Sequence, residues 1–379
     1  MKSYNYIYID DALEDGEKGT INGIQGDGDI KITFKEPNEW KILIDDLRSN
    51  MQKYDGLILD LRLNDNPNKD GLYAPYRGSA VAQELRTLAK ENVFKKDFPI
   101  ILISGNNKIE ESLDTTSIDL FDVILNKNTI EDSTGYTYDE IKQLLRVLAE
   151  GYNFLSNDKK SVKSVLDTTE IDDLDRRFID QLESLLNKPN HILAQFIIKK
   201  VLSRKTFLID EKVLAARLGV DIASLDWDKL KHTLEPYMFT GLFSGFYRRW
   251  WMNKINVWWQ KEISNEVPLR SSSGEQRVET LKKALNLKDL NPAQKTTRSK
   301  SSNFWTVCTG SDKPIDTVDG LVIQGQNNLF PWQEKDYISI DEALRPSNKD
   351  VWKDVDSLEK NRLEKLKEIY GKTEQRIRR

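Results

Sequence analysis

Tyr54-Asp55-Gly56-Leu57-Ile58-Leu59-Asp60-Leu61-Arg62-Leu63 is the stretch on which the reading of the fold turns. The apolar run Leu57, Ile58, Leu59 is too short for a buried helix and follows Gly56, so it reads as a strand covered on both faces. It stops at an aspartate, and the carboxyl ends of strands are where parallel sheets keep their functional groups. Four more short runs of the same kind lie on either side: Tyr6 to Ile9, Ile30 to Phe34, Ile100 to Ile103 and Val123 to Leu125. Helical patterns separate them. Trp40, Leu43, Ile44 and Leu47 share one helix face, as do Val81, Leu85 and Leu88 after Ser79. Thr137 and Glu140 make a capping-box pair ahead of Ile141, Leu144, Leu145 and Leu148. This alternation predicts an α/β domain over residues 1–156, a flavodoxin-like doubly wound sheet of five parallel strands. Ala12 to Gly28, rich in Gly and Asp, reads as a poor first helix.

The strand ends of that domain carry a specific set of groups. Asp10 and Asp11 follow the first strand, Asp60 ends the third, Ser104 ends the fourth and Lys127 follows the fifth. Carboxylates brought together repel unless a hard cation lies between them, and Mg2+ takes oxygen ligands, so Asp10, Asp11 and Asp60 form a candidate Mg2+ site. With charge neutralised, one carboxylate can attack a phosphoryl group while a lysine and a hydroxyl hold its oxygens. In that reading Asp60 is the nucleophile, Lys127 the cation and Ser104 the hydroxyl.

In order and type this set resembles the receiver domain of two-component response regulators. The resemblance implies a signalling protein phosphorylated on Asp60, a metal shell completed by the backbone carbonyl of Arg62, and no enzymatic activity beyond self-phosphorylation and dephosphorylation. It also implies a partner, a histidine kinase or GHKL-type ATPase, and by analogy a place in a bacterial stress or phage-defence system. Two positions depart from the family pattern. Asn128 stands where proline commonly follows the lysine, and Ile124 where a switch aromatic is common. The loop 64–78, directly after the phosphoacceptor strand, is unusually long, and such loops beside a site are often functional.

Past residue 156 strand signals give way to helical ones, which predicts a mainly helical domain over 157–267. Ile171 to Leu186 and His191 to Ser203 carry apolar stripes. Asp210 opens a segment whose Ala215-Ala216-Arg217-Leu218-Gly219-Val220 resembles the middle of a helix-turn-helix, as in winged-helix domains. Its second helix, read over Ile222 to Leu234, carries Asp221, Asp226 and Asp228, which suits no phosphate backbone. Trp251, Ile255, Trp258 and Trp259 share one face, either core or a partner's anchor. Residues 268–303, rich in Ser, Thr, Lys, Arg and Gln, read as a linker or mobile arm with a short helical pattern near Thr280 to Leu287. Residues 304–379 read as a mixed region of short strands ending in an amphipathic helix. Asp312, Asp316 and Asp319 read as turn residues.

Composition bounds the rest. The chain has 379 residues and a formal charge of -4, with 31% charged residues, and holds no apolar run near the roughly 18 residues of a membrane span. It starts on a strand-like run without a secretory h-region, which places it in the cytoplasm. A single cysteine, Cys308, excludes an intrachain disulfide or a CxxC site, and with two histidines, His191 and His232, little remains for zinc chemistry. Cys308 reads as structural. The expected function is phosphorylation-dependent signalling to a protein partner. Two alternatives stand beside it: a pseudo-receiver that acts as a scaffold without phosphorylation, and a DNA-binding regulator supported only by the basic residues between Arg270 and Lys300.

Overall fold

The structure, a computed structural model, describes residues 2–12, 14–26, 28–94, 96–105, 115–133, 135–157, 160–345 and 354–377. The chain packs as two compact units. The first comprises residues 1–171, 176–200 and 240–247, and the second residues 172–175, 201–239 and 248–379.

The first unit is built on five strands: β1 (Tyr4–Ile9), β2 (Ile30–Lys35), β3 (Gly56–Asp60), β4 (Ile100–Ser104) and β5 (Val123–Asn126). They pair in parallel in the order β2-β1-β3-β4-β5. The chain passes from β1 outward to β2 and returns to β3 on the other side. The switch point therefore lies between the ends of β1 and β3, where Asp10, Asp11 and Asp60 sit. Every residue of β3 and β4 is buried, as expected of strands covered on both faces.

Helices α1 (Glu14–Gln25), α2 (Trp40–Asn50), α3 (Gly78–Lys90), α4 (Thr115–Ile118) and α5 (Tyr138–Leu155) connect and cover the sheet. Leu43, Ile44 and Leu47 of α2 and Val81, Ala82 and Leu85 of α3 join the core on one side. The capping box of α5 is complete, with the Thr137 side chain accepting from the Glu140 N–H and the Glu140 carboxylate accepting from the Thr137 N–H.

Within the stretch 12–28, read as a poor helix, Glu14–Gln25 form the helix α1. One of its glycines has a packing reason: a Cβ at Gly23 would lie 2.4 Å from the Tyr138 ring, so only glycine lets α1 close on α5 there, whereas a Cβ at Gly19 would meet nothing within 4 Å. Ile21 and Ile24 complete its buried face.

Three helices past residue 156 belong to this unit: α6 (Val162–Leu166), α7 (Arg176–Leu185) and α8 (Asn190–Gln195). A buried charged network ties α8 to the sheet. The Arg86 guanidinium, 6% exposed, binds Asp122 at 2.8 Å, Asp97 at 3.3 Å and the Phe98 carbonyl at 2.9 Å. Asp122 also accepts the Tyr152 hydroxyl at 2.6 Å, and Asp97 accepts the His191 N–H and faces its Nδ1, both at 2.8 Å. Charges this deep persist only when paired, so residues 190–195 are fixed to the sheet domain and the boundary expected near 157 is not where the packing divides. Residues 240–247 also pack here, with Phe243, at a φ of 65°, lying over Gly151 of α5.

The second unit contains α9 (Glu211–Leu218), α10 (Trp227–Thr233), α11 (Met252–Trp258) and α12 (Gly274–Leu285), with two-residue strands β6 (Leu208–Ile209) and β7 (Trp250–Trp251). Asp210 caps α9 through the Val213 N–H, and Gly219 ends it at a φ of 74°. The second helix of the expected pair starts at Trp227, not Ile222, and has 7 residues. Its Asp226 is 3% exposed and accepts the Asp289 N–H, so that carboxylate stabilises a turn. Trp250, Trp251, Trp258 and Trp259 are all buried in the core of this unit. Residues 268–303, read as a linker or arm, carry α12 instead: Val278 and Leu281 are buried, and Arg277, fully buried, donates to the carbonyls of Arg217, Phe304 and Ser272.

Short strands β8 (Thr306–Val307), β9 (Pro314–Ile315), β10 (Gly320–Val322) and β11 (Tyr337–Ser339) follow, then α13 (Ile340–Ala343) and α14 (Lys360–Ile377). Leu363 and Leu366 of α14 pack on a small core that includes Cys308, Leu321 and Ile338. Asp319 accepts the N–H groups of Lys300 and Ser301, and Asp316 accepts the Ser301 hydroxyl, which makes both turn residues. Among the described residues no helix is long and apolar enough to cross a membrane.

Candidate functional site

The site is at the carboxyl ends of β1, β3, β4 and β5. Asp10, Asp11, Asp60 and Ser104 are 2%, 6%, 7% and 3% exposed, far more buried than such groups usually are. The approach of α3 contributes to this. A Cβ at Gly78 would lie 2.1 Å from the Asp60 carbonyl, so the helix start rests directly on the end of β3.

Lys127 draws the carboxylates together. Its Nζ lies 2.5 Å from Asp10 Oδ2, 3.1 Å from Glu17 Oε1 and 3.5 Å from Asp60 Oδ1. Burial alone pulls the ammonium pKa down, but Asp10 and then Asp60 and Glu17 outweigh it and raise the value. Burial, followed by the charge of Asp10, pushes the Asp60 carboxyl up to about 7, against the opposing pull of Lys127 and the Arg62 N–H. That N–H donates to Asp60 Oδ2 at 2.6 Å.

Asp11 serves the long loop. Its Oδ2 accepts the N–H groups of Asp65 and Asn66, each at 2.7 Å. The loop itself is ordered: Pro67 bridges to Tyr73, Asn68 Oδ1 accepts the N–H groups of Asp70 and Leu72, and Tyr76 is buried against Trp40. Leu72 and Tyr73 at its tip are 64% and 62% exposed.

Two site residues escaped the sequence reading. The Tyr8 hydroxyl lies 2.8 Å from both Asp10 Oδ2 and Glu17 Oε2, and its pKa is raised by burial and by those two carboxylates. Strand periodicity could have found Tyr8, which shares a face with Asp10. Glu17 required recognising α1. Ser104 is buried at the end of β4, and Asn128 donates to the Gly105 carbonyl.

The donor set, hard oxygen ligands beside a carboxyl that resists ionisation, has the chemistry of a Mg2+ site. Its arrangement is another matter: among the described residues no group of three or more His, Cys, Asp or Glu stands close enough to hold a metal. Lys127 occupies Asp10 and the loop amides occupy Asp11.

No protein-family model matches the chain. A search of curated proteins returns no significant match. Solved structures do match. A response regulator receiver protein from Pseudomonas putida is 16% identical, with 34% of this chain and 88% of that one covered, at a TM-score of 0.23. The signal receiver domain of a Luxo repressor protein from Vibrio parahaemolyticus is 14% identical over 42% of this chain and 99% of its own, at 0.29. An adenylate cyclase from Rhodopirellula baltica is 15% identical over 41% and 93%, at 0.27. At these values the strand order, not the matches, carries the assignment. Five parallel strands in the order β2-β1-β3-β4-β5 with helices between them make the N-terminal part of the chain an α/β flavodoxin-like fold, and the C-terminal region is left unassigned.

Proposed function

We propose that the chain is a receiver-type signalling protein whose Asp60 accepts a phosphoryl group. The observation that supports this most directly is the buried Asp60 carboxyl, raised to about 7 and set 3.5 Å from the Lys127 ammonium at the sheet's switch point. In the proposed step an Asp60 oxygen attacks phosphorus as the bond from phosphorus to the donor breaks. The leaving group departs with the electron pair and takes up a proton from water, and Lys127 and Ser104 hold the phosphoryl oxygens. The donor is of the phosphoimidazole or acyl phosphate class, the former matching a histidine kinase or GHKL-type ATPase as partner. Asp10, Asp11, Asp60 and the Arg62 carbonyl would hold the Mg2+ of this reading, which would supply positive charge against the transferred group once Lys127 gives up Asp10 and the loop amides give up Asp11. The signal then passes to a protein, because α10 has only 7 residues and its two lysines are already paired, Lys229 with Asp226 and Lys231 with Glu211 and Asp228, which leaves duplex DNA little to bind.

Calorimetry of the full chain with beryllium fluoride tests this. Binding that needs Mg2+ and disappears in Asp60→Asn is the expected result. Binding that survives in Asp60→Asn overturns the choice of nucleophile, and no binding at all favours the scaffold reading, in which Lys127 simply closes the acidic cluster.

A further inference from the structure

We propose that Glu17 is a positioning residue that holds Lys127 back from Asp60, so that the phosphoryl group must compete with it. This rests on the phosphoacceptor reading above. A lysine ammonium has three N–H donors. In this chain the ammonium hydrogen-bonds Asp10 at 2.5 Å and lies within ion-pair distance of Glu17, at 3.1 Å, and of Asp60, the farthest, at 3.5 Å. A phosphoryl oxygen must enter a shell already filled by three carboxylates.

One of the three partners must therefore be given up, and the partners differ in what else they do. Asp10 also accepts the Ala12 N–H at 2.9 Å and the Tyr8 hydroxyl. Asp60 is the acceptor itself. Glu17 has both oxygens turned to the site, Oε1 to Lys127 and Oε2 to Tyr8. It comes from α1 and not from the sheet, and its side chain is 12% exposed. It is thus the partner whose loss leaves the strand ends intact. Its negative charge also opposes any phosphoryl anion that enters between Lys127 and Asp60. The carboxylate at position 17 sets how readily the lysine changes partners, and so both the ease of phosphoryl uptake and the lifetime of the product.

Glu17→Gln keeps the shape and removes the charge. Two readouts on the full chain separate the outcomes. The first is the nitrogen-15 signal of the Lys127 ammonium without any phosphoryl mimic, where faster hydrogen exchange in the variant is expected. The second is beryllium fluoride binding with Mg2+, expected to tighten roughly tenfold, the size of one charge-assisted hydrogen bond regained. Tyr8→Phe, which frees the other oxygen of Glu17, is expected to give a smaller change of the same sign. An unmoved Lys127 signal overturns the proposal, since the lysine is then not held by Glu17. Faster exchange with equal mimic binding to both proteins overturns the competition while leaving the phosphoacceptor reading in place. No mimic binding to either protein overturns that reading, and the competition with it.

Discussion

Oδ2 of Asp11, two residues past the end of β1, accepts the backbone N–H of Asp65 at 2.7 Å, although the two residues are 54 positions apart in the chain. The start of the long loop is thereby fastened to the candidate site. Removing the acceptor in Asp11→Ala leaves the amides of Asp65 and Asn66, both exposed residues, to bond water instead, a loss of about 1.5–3 kcal/mol for a hydrogen bond to a charged group. Amide exchange at these two positions should accelerate at least tenfold, while exchange in β3 stays slow. Unchanged protection would show that the loop is held by its own contacts.

Because the same carboxylate is proposed for Mg2+, metal and loop compete for Asp11. Hydrogen exchange with and without Mg2+ and beryllium fluoride should change at residues 64–78, with coupling of the usual ~1–3 kcal/mol between site and loop. Changes confined to residues 104–125 would mean that the signal leaves through β4 and β5 and that the loop is only an insertion. Residues 106–114 of that stretch lie outside the described ones.

Phosphorylation should depend on pH with a rising limb. A protonated carboxyl is no nucleophile, so with the Asp60 carboxyl near 7 in the metal-free chain its carbon-13 signal should titrate between about pH 6 and 8, and that limb gates attack on phosphorus. Lys127 lowers that value, so Lys127→Ala should move the limb to higher pH. Stability runs the other way. A carboxyl whose folded value lies above its unfolded one binds more protons when folded, so its contribution is present below about pH 4 and is lost as pH rises to 7. Asp60→Asn should therefore stabilise the chain at pH 8 by roughly 2–4 kcal/mol, measured by urea unfolding. Equal stability at pH 8 would show that Asp60 ionises without cost.

Arg86→Met leaves Asp97 and Asp122 buried without their shared partner. Loss of a single member of such a network costs about 3–5 kcal/mol. The double change Arg86→Met with Asp122→Asn should recover part of it, because the uncompensated charge is gone. If Arg86→Met unfolds at the wild-type denaturant midpoint, the network carries no stability.

The sheet was legible because each strand is a short apolar run buried on both faces, which leaves no competing period. The run ending at Asp60 shows this most simply, and the acidic, hydroxyl and lysine positions follow from where the runs stop. Helix α1 was hidden by its glycines, one of which, Gly23, answers to a tertiary contact with Tyr138 that no local pattern encodes. Glu17 was lost with it. The order of residues 64–78 depends on Asp11, too distant in sequence to be inferred. In the polar stretch 268–303 a local signal did exist: Ser273 and Gln276 form a complete capping box ahead of Val278 and Leu281, but the surrounding Ser, Lys and Arg masked it. The packing of residues 190–195 on the sheet rests on His191 and Asp97, a pair that composition cannot join.

Cys308 is fully buried, with its sulfur accepting the Ser339 N–H at 3.2 Å. Alkylating reagents attack only a thiolate that solvent can reach. The chain thus carries a built-in stopwatch: with one thiol in the whole sequence, the pace of maleimide capture counts how often the β8 to β11 region breathes open.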